Sequence, residues 1–206
     1  MGYYDYGYYD YYEEAAVGTG FFAAFAGVYL VMIFFALAIS LVSYIFQSWG
    51  FYSIANRRGI QNAWLAWVPL GNLWILGSIS DQYQYVTKGQ VKNRRKLLLG
   101  LYIGIFVCYI AIIIGTVMIS VLGFSDFDGE GVIALVAPIL LGTLVIMAVA
   151  IAGLVINYMC LYDLYRSCDP NNGMLFLLLS IFVSGLTPFL VFICRNKEAG
   201  MPPRIL

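Results

Sequence analysis

Asp81, Asp163 and Asp169 are the side chains of this sequence best suited to proton transfer, and Cys108, Cys160, Cys168 and Cys194 those best suited to nucleophilic or metal chemistry. Two carboxylates held together could act as an acid–base pair, and a thiolate beside an imidazole could attack a carbonyl. The second option falls at once, because the chain has no histidine. His-assisted serine chemistry falls with it, and no H-E-x-x-H, Walker loop or dinucleotide fingerprint occurs. The cysteines show no C-x-x-C spacing, so a zinc site would need an unusual ligand set, and buried or interfacial thiols are expected. The three aspartates fall in polar connectors, where solvated or helix-capping roles are expected, and Asp169-Pro170-Asn171-Asn172-Gly173 reads as a turn. These residues point to a non-enzymatic protein with no cofactor and no metal.

The elements that carry them belong in lipid. Of 206 residues 62% are hydrophobic and only 11% charged, with a mean hydropathy of +0.85. A soluble domain has about a quarter of its residues charged, so a different solvent is implied. Net charge is zero, which leaves no global field to gather nucleic acid. Three uncharged runs, about 21–46, 97–122 and 132–160, are long enough to cross the hydrocarbon as helices, which takes about 20 residues. A lone strand there would leave its backbone groups unpaired.

Two more apolar stretches are shorter and broken. The first, about 63–80, contains "WLAWVPLGNLWILG" with Pro69, Gly71 and Asn72 at its centre; the second, about 174–194, contains Gly185 and Pro188. Proline removes a donor and clashes with the preceding turn, so a break is expected in each. The eleven Lys and Arg residues decide how these stretches sit. With three spans and the N-terminus outside, all eleven are cytoplasmic; with five spans they divide five against six. The positive-inside bias therefore favours three spans.

The expected fold is an all-α integral membrane protein with three full transmembrane helices and two broken segments, re-entrant or interfacial, that enter from and return to the cytoplasmic side. Trp64, Trp67 and Trp74 suit headgroup depth. Pro69, Gly71 and Asn72 would form the deepest turn of the first broken segment. Asn72 would satisfy the backbone groups freed there, so Asn72→Leu is expected to lower stability.

Residues 1–20 read as a disordered extracytoplasmic tail, with seven tyrosines among the first twelve positions, and 195–206 as a cytoplasmic tail. The N-terminus has no basic region of a signal peptide, and Tyr6 stands where a myristoylation signal requires Ser or Thr. The single membrane domain is then 21–194.

Within it, Asn157 near the end of the third run is suited to bond a neighbouring helix. Together with Pro69, Gly71, Asn72, Gly185 and Pro188 it completes the residues that would line a path if the broken segments formed one. Gly100 with Gly104, Ala111 with Gly115 and Ala148 with Ala152 have the small-residue spacing that lets helices approach, within one chain or between chains. Lys92, Arg94, Arg95 and Lys96 precede a span and are candidate contacts for anionic lipid headgroups.

"WLAWVPLGNLWILGSISDQYQ" and "PFLVFICRNKEAGMPPR" resemble segments of small multi-span membrane proteins of Gram-positive, clostridia-type bacteria. The resemblance implies a bacterial cell membrane with the N-terminus facing the wall, and it carries no activity or site residues. The functional expectation is an interaction or accessory subunit, with the bilayer and either a membrane-protein partner or a second copy as partners. The alternative is a small-solute channel or transporter with its path at the two broken segments.

Overall fold

A computed structural model describes residues 6–122 and 129–202. Positions 123–128, including Ser125 of the expected outer loop, lie outside the described residues. The chain forms two units, residues 1–44 and 45–206. The helix α1 (Tyr6–Arg57) begins in the first and ends in the second. It is followed by a 3₁₀ turn at Ala63–Trp67, α2 (Pro69–Lys88), α3 (Arg94–Leu122), α4 (Gly129–Cys168), α5 (Gly173–Phe182), a second 3₁₀ turn at Ser184–Leu186, and α6 (Thr187–Cys194). No strand occurs among the described residues.

Three stretches are long and apolar enough to cross a membrane: Ala23–Arg57, Arg94–Met118 and Ala137–Cys168, of 35, 25 and 32 residues. Each exceeds the length that hydrocarbon requires, and the surplus of the first and third forms the core. At the end of α1 the sequence becomes amphipathic, burying Ser48, Phe51, Ile54, Ala55 and Arg58 at helical spacing. The end of α4 does the same with Cys160, Leu161, Leu164, Tyr165 and Cys168. Ala66 of the first 3₁₀ turn, Ile75, Leu76 and Ile79 of α2, Leu98 of α3, and Leu190, Val191 and Cys194 of α6 complete the cluster. In the most apolar windows of the three long helices, by contrast, 0%, 6% and 6% of residues are buried.

Helix ends follow local chemistry. After α1 the Ile60 amide bonds the Ala55 carbonyl at 2.9 Å and the Gly59 amide bonds Asn56 at 3.2 Å, a Schellman closure. It requires the left-handed backbone of Gly59, φ 68°. Gly50 allows α6 to close on α1, since a Cβ there would lie 2.9 Å from Val191. Phe46, Trp49, Phe189 and Phe192 stack beside it, with ring centroids 5.0–5.7 Å apart.

Two expectations change. Tyr6–Gly20, read as a disordered tail, is continuous with α1. The stretch contains no proline, and once the following helix exists each added residue needs no new nucleus. Within 63–80, the break comes at Val68 rather than at a turn of Pro69, Gly71 and Asn72. Val68 is extended, Pro69 takes the first position of α2, where its missing donor costs nothing, and Asn72 already bonds the Val68 carbonyl at 2.8 Å.

Candidate functional site

One polar knot joins α2, α3 and α4. Ser80 and Gln84 are one turn apart on α2, so both face α4, where Asp163 is buried with 4% exposure. The Ser80 hydroxyl donates to Asp163 Oδ2 at 2.7 Å, and Gln84 Nε2 lies 2.9 Å from both carboxylate oxygens. Arg94, the first residue of α3, places Nη1 2.6 Å from Asp163 Oδ2 and 3.1 Å from Ser80 Oγ. The carboxylate thus meets a cation, a hydroxyl and an amide, which is what a buried charge needs.

The next residue on α2 serves α3 differently. Asp81 accepts the backbone amides of Arg94 at 2.9 Å and Arg95 at 3.2 Å, capping the helix from a neighbouring element. Burial pushes the Asp81 carboxyl above its ordinary range, while those amides pull against the shift. Gly77, one turn earlier, admits the approach, because a Cβ there would collide with the Arg95 backbone.

Four residues further along α4, on the same face as Asp163, Ser167 begins a second polar group. Arg58 is 6% exposed and donates from Nη2 to Ser167 Oγ at 2.8 Å and to Cys168 Sγ at 3.7 Å. Cys168 Sγ also lies 3.9 Å from Ser167 Oγ, and both Cys168 and Cys194 are buried free thiols. Arg57 and Arg58 both approach Glu198, at 2.7 and 3.9 Å. Burial lowers the pKa of Arg58 from its ordinary value. The segment after α6 closes this end, with the Ala199 and Gly200 amides on the last carbonyls of α4, Cys168 at 3.2 Å and Ser167 at 3.1 Å.

The sequence-derived candidates are dispersed. Gly71 and Asn72 are buried in α2, where Gly71 lies tight against the Leu65 carbonyl, and Asn72 Oδ1 has no partner. The expected hydrogen-bonding role of Asn72 is therefore not the one its carbonyl plays. Pro69 is exposed; Pro188 is buried in α6; Gly185 is exposed with open space at its Cβ position. Asn157 donates to the Tyr102 hydroxyl at 3.2 Å, joining α4 to α3.

Of the four headgroup candidates, Arg94 is turned inward by Asp163, whereas Lys92, Arg95 and Lys96 are exposed. Asp163 was expected in a solvated connector and is instead the centre of the knot; α4 continues eight residues past position 160 and carries it into the core. Asp81 does cap, whereas Asp169 closes the turn before α5. Asp169 accepts Asn172 at 3.3 Å through the backbone amide and 3.1 Å through the side chain. Gly100, Gly104 and Gly115 face open space, so their small-residue spacing serves no close approach here.

Chemically the knot is occupied by its own partners. Asp81 and Asp163 do not share a proton-transfer site, since one holds α3 amides and the other Arg94. Among the described residues no group of three or more Cys, Asp or Glu side chains is placed to hold a metal ion. The fold and site define an all-helical protein with three helices able to span a membrane. No family model, curated protein or solved structure matches the chain.

Proposed function

We propose that this protein is a non-enzymatic integral membrane protein acting through interaction, an accessory subunit whose spans offer their flanks to another membrane protein or a second copy. The observation that carries this reading is the contrast along the long helices. Their ends are fastened by Asp163, Arg94 and the surrounding core, while their most apolar windows are almost bare. In this reading the cation-bearing ends face the cytoplasm, the N-terminus is extracytoplasmic, and both broken segments stay on the cytoplasmic side. Helices left without partners in a bilayer associate by packing, with small residues such as Gly100 and Gly104 at the contact.

A solute path between the broken segments has less support. A cavity of about 460 Å³ lies at α2 and the start of α3, and neither Gly185 nor Pro188 lines it.

Photoreactive side chains at Phe106 on α3 and Leu144 on α4, both 58% exposed, test the reading in native membranes. A discrete protein adduct from at least one position is expected. Adducts to lipid alone, together with solute flux through the purified protein in liposomes, would overturn it in favour of transport.

A further inference from the structure

The lining of the cavity at α2 and the start of α3 holds two cations and one carboxylate. One face of α2 contributes Trp74, Asp81 and Tyr85, and the segment leading into α3 contributes Lys92 and Arg95. The Arg95 guanidinium rests over the Trp74 ring, 5.2 Å from its centroid. Neither Arg95 nor Lys92 enters an ion pair among the described residues, whereas Arg94 between them is paired with Asp163. The only carboxylate in the lining, Asp81, is engaged by two α3 amides. Two cations outside any ion pair, one carboxylate whose charge acts on Arg95, and aromatic walls thus surround about 460 Å³, enough for a small charged group with a net positive lining.

We infer that this cavity binds the phosphate of an anionic phospholipid headgroup, with Arg95 and Lys92 as its cationic contacts and Trp74 as the platform that orients the guanidinium. The inference rests on the proposed membrane location and specifies what that end of the protein recognises. Arg guanidinium is suited to the task because its planar fork can donate two bonds to phosphate oxygens, and stacking fixes its plane beforehand. A lipid, rather than a soluble phosphate, fits what lies next to the site. Val91 in the lining is 79% exposed, and α3 continues from Arg95 into the bare apolar surface of Leu97, 51% exposed, and Phe106. A headgroup in the cavity would leave its acyl chains along that surface.

The test uses the full chain in nanodiscs of phosphatidylcholine, with phosphatidylglycerol titrated in and retained lipid counted by native mass spectrometry. Preferential retention of phosphatidylglycerol is expected. Arg95→Gln and Lys92→Gln should each weaken it about fivefold, the effect of about one cation at an anionic surface. Lys88→Gln, an exposed cation outside the lining, should leave retention unchanged. Equal losses in all three variants would mean diffuse surface attraction and overturn the site. Should Arg95→Gln melt early, Arg95→Lys supplies the reading: it restores charge without the fork and should retain less lipid than wild type but more than Arg95→Gln. Inorganic phosphate is the soluble arm; full displacement of the lipid at equal concentration would assign the site to a soluble anion and overturn the lipid assignment. Vesicle flotation separates the two levels of failure. A chain that does not float removes the membrane reading, whereas one that floats without lipid preference removes only this site.

Discussion

Replacing Asp163 with Asn keeps the shape of the side chain and removes the charge on which three elements converge. Arg94 would then hold a cation 17% exposed at its side chain without its ion-pair partner, with Asp81 acting on it only from beyond ion-pair distance, and Ser80 and Gln84 would lose the charged acceptor of their hydrogen bonds. Two routes give the size of the loss. Breaking a buried pair by removing one partner costs about 3–5 kcal/mol. A Coulomb estimate for unit charges 4 Å apart, at an effective dielectric of 20, gives about 4 kcal/mol. The residual exposure of Arg94 lets it turn partly to water, so the lower end, about 3 kcal/mol, applies. For a chain of this length that corresponds to a fall in melting temperature on the order of 6–12 °C.

The assay is thermal unfolding of the purified protein in one detergent, with Asp163→Asn, Arg94→Met and the double variant Asp163→Leu, Arg94→Met compared. The double variant should recover much of the loss, because an apolar pair of similar volume avoids the stranded charge. Melting of Asp163→Asn within about 1 °C of wild type would refute the reasoning, as would losses in the single variants that simply add in the double.

Other outcomes follow from the same geometry. Gly77→Ala should destabilise by about 1–3 kcal/mol, because the new Cβ meets Arg95 backbone that cannot move without releasing the Asp81 cap; Gly100→Ala, in open space, should stabilise by about 0.5–1 kcal/mol, and paired melting curves compare them. Hydrogen bonds from Asn172 and then Lys197 hold the Asp169 carboxyl below its ordinary value of 3.8. Its contribution is therefore complete above that value and lost as pH falls through the folded one, so Asp169→Asn should be less stable than wild type near pH 6 and converge with it only as the pH falls below 3.8. Asn72→Leu should leave the melting temperature unchanged or raise it, since it deletes a buried carbonyl oxygen that has no partner; a clear fall would show that the oxygen is satisfied in the folded protein.

The three long helices were legible because lipid imposes a length and a composition that no soluble element shares. What the sequence concealed was the use of the surplus length. Asp163 stands in "CLYDLYRSC", next to an apolar run, and reads as a connector until α4 is known to continue through Cys168. The signal was present in the spacing: Ser80 and Gln84 are one turn apart, and so are Asp163 and Ser167, polar pairs set among the buried apolar residues of their helices. Pairing those stripes across 83 and 79 positions of chain requires the fold itself. Asn72 illustrates the opposite error. Proline, glycine and asparagine together read as a turn, but proline at the first position of a helix is also a start signal, and only the extended Val68 before it shows which applies.

The central claim is that three helices cross the membrane and that both broken segments remain on the side of the cations. It is tested most directly by single cysteines at Ser125, Lys92 and Asn196, in a background with the four native cysteines replaced by alanine, labelled with an impermeant thiol reagent on intact cells and again after permeabilisation. The three-span arrangement predicts labelling of Ser125→Cys on intact cells, and of Lys92→Cys and Asn196→Cys only once the membrane is opened. Labelling of Lys92→Cys on intact cells would contradict it.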